Sequence, residues 1–152
     1  MKLAEALNLR SMLIKQIAEL KRRLEDSVKI QEGEEPIDSA EELLKELNPK
    51  IDQLYKLVYR INLTNLQVKD NGKSITELLA ERDALVSRTQ ILNSCLSRLT
   101  ESTARFRSDD IRFVRTVNPS EFRKRCNEES SRLRQINLKI QMLGWTHDLI
   151  EE

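Results

Sequence analysis

Four carboxylates crowd one short stretch of the chain, Gln31-Glu32-Gly33-Glu34-Glu35-Pro36-Ile37-Asp38. Glu32, Glu34, Glu35 and Asp38 are hard oxygen ligands of the kind that hold Ca²⁺ or Mg²⁺. The stretch lacks the spaced Asp-x-Asp-x-Asp-Gly order of a dedicated calcium loop, so a solvated acidic turn is the plainer expectation. Gly33 and Pro36 nevertheless suggest a fixed shape rather than a flexible linker. His147 is the only histidine, which excludes a multi-histidine metal site within one chain. A histidine-dependent triad would have to be built around this residue, beside Asp148. Cys95 and Cys126 are the two cysteines; with no Cys-x-x-Cys spacing they are expected to be reduced, packed thiols. Glycine-rich phosphate loops and Gly-x-Ser-x-Gly elbows do not occur, so no cofactor and no enzymatic activity are expected.

Two further clusters could bind. Asn62, Thr64 and Asn65 gather polar groups where the second predicted helix ends, either as caps or as the wall of a polar pocket closed by a later extended segment. Between Arg98 and Lys139 the basic residues exceed the acidic ones by five. Arg105, Arg107, Arg112, Arg115, Arg123, Lys124 and Arg125 make this the one plausible anion-binding region, a candidate for nucleic acid. Only Phe106, Phe113 and Phe122 interleave it, and salt-bridged helix faces are the simpler expectation.

These residues must be positioned by helices. Leu3, Leu7, Leu13, Ile14, Ile17, Leu20, Leu24 and Val28 recur at three- and four-residue steps, predicting a helix over about 2–30. The acidic loop follows, with Asp38 or Ser39 as the next cap and Glu41 and Glu42 in the first turn. A second stripe comprises Ala40, Leu43, Leu44, Leu47, Ile51, Leu54, Leu57, Val58 and Ile61; its register continues across Pro49, which predicts a kink rather than a split. Val68 to Lys73, punctuated by Asn71-Gly72, predicts a turn with room for a short hairpin. Ser74-Ile75-Thr76-Glu77 is a capping box opening a third helix to about Arg105.

The alternation of Ile111, Phe113 and Val117 over 110–117 predicts an extended segment or short strand, anchored by burial of Phe113. Asn118-Pro119-Ser120-Glu121 opens a fourth helix. Gly144 is expected to end it as a C-terminal cap, with Trp145 folding back. If the third and fourth helices pair antiparallel, Cys95 and Cys126 fall at similar heights on inner faces.

Composition agrees: 34% of residues are charged, 4% aromatic, and the chain has 3 Gly and 3 Pro, a balance of long helices with charged outer faces. The formal net charge of +1 demands neither nucleic acid nor an acidic membrane as partner. No signal-like apolar run opens the chain and none of about 18 residues occurs, so a cytoplasmic address without membrane contact is expected.

Gln31-Glu32-Gly33-Glu34-Glu35-Pro36, Ile61-Asn62-Leu63-Thr64-Asn65, Ile111-Arg112-Phe113-Val114-Arg115-Thr116-Val117 and Gly144-Trp145-Thr146 resemble landmarks of an uncharacterised bacterial helical family, in the same order over essentially the whole chain. Its members sometimes carry the label septicolysin. That label implies a pore-forming cytolysin, against which the missing apolar span and the missing membrane-barrel strands both speak. The resemblance brings no activity, substrate or catalytic residue set to these positions.

The expected protein is thus all-α: one domain over 1–152, an elongated antiparallel coiled-coil-like bundle of four helices with a short extended segment between helices 3 and 4. Stripes this long on helices with few aromatics favour completion by self-association. The expected role is a non-enzymatic structural or protein-interaction module. Nucleic-acid binding, metal or small-ligand binding and a septicolysin-like membrane activity are the alternatives, in that order.

Overall fold

The computed structural model describes residues 1–101 and 112–151. Among them are four helices, α1 (Leu3–Ser27), α2 (Ala40–Gln67), α3 (Ile75–Thr100) and α4 (Pro119–Thr146), and a hairpin of β1 (Lys69–Asp70) and β2 (Lys73–Ser74). The fold is all-α, as the helical periodicity implies. The backbone gathers into two compact units: Met1–Ile75 with Gln141–Glu152, and Thr76–Ile140.

In the first unit α1 and α2 form an antiparallel pair. Lys50 Nζ donates to Gln16 Oε1 at 3.1 Å, and nearer the loop Arg23 reaches Asp38 at 2.7 Å. Leu20, Leu43 and Leu47 form a buried cluster flanked by Ile17 and Leu24. Glu5 starts α1 by accepting the backbone N–H of Lys2 at 2.8 Å. At α2 the cap is Ser39, whose carbonyl accepts from Leu43 N–H at 3.0 Å. Pro49 lies inside a continuous α2, so the unbroken apolar register outweighs the one lost ladder bond.

The single stripe expected along α2 is two stripes. Leu43, Leu47, Leu57 and Ile61 are buried, whereas Leu44 and Ile51 are 41% and 44% exposed. Leu44 follows Leu43 by about 100° around the helix, too far to enter the same seam. α2 also extends past the expected end, through Thr64, to Gln67. The hairpin follows at once, pairing Lys69 with Ser74 and Asp70 with Lys73. Its two-residue turn holds Asn71 at φ 49° and Gly72 at φ 83°, the positive values a tight right-twisted hairpin requires.

In the second unit α3 and α4 run antiparallel. Arg88 pairs with Glu129 at 3.5 Å and Arg115 Nε donates to the Leu99 carbonyl at 3.1 Å. Asn118 Oδ1 accepts from the N–H groups of Ser120 and Glu121 at 2.9 and 3.1 Å, which is the expected cap. Cys126 is buried but Cys95 is exposed, so the thiols do not share an inner face. The expected end of the third helix near Arg105 lies outside the described residues.

From Arg112 to Arg115 the chain has no regular secondary structure. Phe113 is 64% exposed, which corrects the burial expected of it: alternation along the chain marks one face of a segment as apolar but does not bury that face. Trp145 is likewise 58% exposed rather than folded back.

Gly144 is not a C-cap. It lies inside α4, where a Cβ would meet the Ala4 Cβ at 3.7 Å and the Ala4 backbone N at 3.8 Å. The residue is small because α1 passes close by, and that contact has ordinary van der Waals room for one methyl but not for a longer side chain. Gly144→Ala should therefore raise stability by about 0.5–1 kcal/mol through helix propensity, whereas Gly144→Leu should lower it by about 1–3 kcal/mol through overpacking. Thermal unfolding of the two variants beside the parent checks both signs.

Candidate functional site

The densest polar construction among the described residues is at the chain ends. Leu3 N–H donates to the His147 carbonyl at 3.0 Å and Leu149 N–H to the Met1 carbonyl at 2.8 Å, a β-bridge between the stretches around Lys2 and Asp148. Lys2 Nζ adds an ion pair to Asp148 at 3.0 Å and a hydrogen bond to the Thr146 carbonyl at 3.3 Å. The Lys2 ammonium holds the Asp148 carboxyl below the usual carboxylate range, first by hydrogen bonding and then by its charge.

Thr64 ties this tail to α2. Its Oγ1 donates to the Arg60 carbonyl at 2.8 Å and accepts from Ile150 N–H at 3.0 Å. Arg60 Nε in turn donates to the Ile150 carbonyl at 3.0 Å. Thr64 is fully buried, and Leu3, Ile61 and Leu149 are each at most 3% exposed. The backbone groups named here and the Thr64 hydroxyl all have protein partners, so the arrangement acts as a structural clasp.

The other polar candidates are dispersed. Asn62 is exposed and Asn65 half-buried, on different faces from Thr64, so the three do not line a common pocket. In the acidic loop Glu32, Glu34 and Glu35 are exposed, while Asp38 accepts two bonds from Arg23, at 3.0 and 2.7 Å. That guanidinium lowers the Asp38 carboxyl from its ordinary value, and the carboxylate raises Arg23. Among the described residues no three His, Cys, Asp or Glu side chains come together as a metal site. Among the described residues an open groove of about 360 Å³ lies between α1 and α2, bordered by Lys15, Glu19, Glu46 and Lys50, with charges of both signs.

Of the basic candidates, Arg105 and Arg107 lie outside the described residues. Arg112, Arg115, Arg123, Lys124 and Arg125 are exposed, the last three in the first two turns of α4.

One surface was not singled out from the sequence. Along α2, Leu44, Ile51, Tyr55, Tyr59 and Leu66 are 41%, 44%, 72%, 50% and 57% exposed, and their steps of seven, four, four and seven place them on one helical face. Both tyrosines of the chain are on it. The two Tyr, four residues apart on a helix with a separate leucine seam, were the available signal.

Fold and clasp define an all-α protein in which the stretch around Lys2 is bridged to the stretch around Asp148, and that stretch is tied to α2 through Ile150. The chain belongs to DUF6847, a family of unknown function whose model matches residues 10–149. It is similar to a functionally unknown conserved protein from Corynebacterium diphtheriae, with 32% identity, 99% of each chain covered and a TM-score of 0.91 to that crystal structure. Comparison with curated proteins finds no match.

The clasp hinges on a hydroxyl that donates one hydrogen bond and accepts another. Thr64→Val keeps the shape but strands the Ile150 N–H, and should cost about 1–3 kcal/mol. Asn62→Ala on the exposed face should change stability by less than about 0.5 kcal/mol. Thermal unfolding gives the comparison, and faster amide exchange at Ile150 in the Val variant locates it.

Proposed function

We propose that this chain is a non-enzymatic interaction module that works by self-association through the exposed face of α2. The observation that carries the reading is the apolar stripe from Leu44 to Leu66, on a helix whose opposite seam is already filled by α1. A row of large apolar side chains is an interface feature rather than a random surface feature. Aromatic residues, and Tyr above all, are enriched where proteins dock. The α2 face brings five such side chains, two of them tyrosines, onto one side of a single helix.

Exposed cations support a second reading. Arg123, Lys124 and Arg125 make no ion pair among the described residues and project from the start of α4, beside Arg112 and Arg115. A nucleic acid would engage them by counterion release. The cytolysin label finds no support in the comparisons, and among the described residues no helix is long and apolar enough to cross a membrane.

Light scattering across a dilution series should show a dimer or larger species at micromolar concentration, and Tyr55→Ser should weaken association at least about tenfold without altering helicity. A strict monomer at high micromolar concentration overturns the reading. For the second, binding of duplex DNA or RNA should fall steeply with salt and weaken on Arg123→Ala with Arg125→Ala; salt-independent or absent binding removes it.

A further inference from the structure

The exposed face of α2 carries charges as well as apolar groups, and their order is informative. Glu41, Lys45, Asp52 and Lys56 border the stripe on one flank. All four are exposed, and none forms an ion pair among the described residues. The outer charges of α1 behave differently: Lys21 pairs with Glu25, and Arg22 with Glu19 and Asp26.

Read as a heptad, the face has Glu41, Asn48 and Tyr55 at one seam position, Leu44, Ile51 and Val58 at the other, and Lys45 and Asp52 on the adjoining flank. In an antiparallel helix pair the same flank of each helix faces its counterpart, and the two seam positions interleave. One two-fold register, centred near Pro49, satisfies both requirements at once. It lays Tyr55 over the second copy's Leu44 and Ile51 beside the second copy's Asn48. On the flank it sets Lys45 against the second copy's Asp52, and Glu41 within reach of the second copy's Lys56. By symmetry each contact occurs twice, and both flank contacts join opposite charges. The register also brings Ile37, fully exposed ahead of α2, level with the second copy's Tyr59.

We infer that the occupant of the α2 face is a second copy of this chain, docked antiparallel in this register, and that Glu41, Lys45, Asp52 and Lys56 select it. The inference rests on the self-association proposed above and adds the partner's orientation and the residues that specify it.

The test is a charge exchange. E41K/K45E and D52K/K56E each swap charges four residues apart on one helix, so composition and the option of an i,i+4 pair are preserved. Each variant alone would face like charges across the two-fold axis and should associate at least about tenfold more weakly than the parent by sedimentation velocity. An equimolar mixture of the two restores opposite charges at all four contacts, so it should form a heterodimer within about threefold of the parent affinity. Variants that associate like the parent, or a mixture that stays monomeric, overturn the register while leaving self-association standing. A monomeric parent overturns both. As a measurement on the unaltered chain, zero-length carbodiimide crosslinking of mixed isotope-labelled and unlabelled protein should join Lys45 to Asp52 between copies; crosslinks confined to single chains also overturn the register.

Discussion

The hydroxyl of Thr64 is where the two ends of the chain are tied to its middle. A residue buried on the last turns of α2 accepts the N–H of Ile150, while its own proton goes to the Arg60 carbonyl. Arg60 then closes the carbonyl of the same Ile150. Because the tail backbone enters a buried region, its amide and carbonyl need partners there, and each one left unmade would cost about 1–3 kcal/mol. The bridge between the stretches around Lys2 and Asp148 depends on the same docking: without the tail held on α2, α1 would begin beside no acceptor for the Leu3 N–H. Gly144 fits the same constraint, since the last turns of α4 must lie close to Ala4 for the tail to arrive where it does.

Several of the polar residues that look chemical have structural partners. Asp38 and Arg23 fix the loop to α1, Lys2 and Asp148 fix the tail, and Thr64 serves two backbone groups at once. Their perturbed acidities follow from these structural pairings: Asp148 is lowered by Lys2 and Asp38 by Arg23, both on solvent-accessible ion pairs. Such pairs position segments more than they stabilise the fold. What the clasp leaves over is a helix with two faces, one filled by α1 and one presented outward with its own flank of charges.

Much of the architecture was legible in the residues. The helices, the Asn118 cap, the Asn71-Gly72 hairpin turn and the acidic loop could be read because periodicity, capping chemistry and positive φ are local properties. The continuous passage of α2 through Pro49 was also legible, since the apolar register on both sides is the same. Burial was less so. Leu43 and Leu44 are equally apolar, and only the position of α1 decides that the first is core and the second surface. Phe113 and Trp145 show the limit in the other direction: both are large and apolar, yet they are 64% and 58% exposed, because residue type alone does not set burial.

The candidate site follows the same division. Sequence determined the inventory: an all-α chain, one histidine, two unrelated cysteines, an acidic loop, a basic stretch and four amphipathic stripes, because each is a matter of residue type and spacing along one helix or loop. Tertiary structure decided which of these meet. It joined Thr64 to Ile150, 86 residues away. It also filled one α2 seam and left the other open. Such pairings are set by the packing of distant segments, a long-range property that no window of local sequence contains.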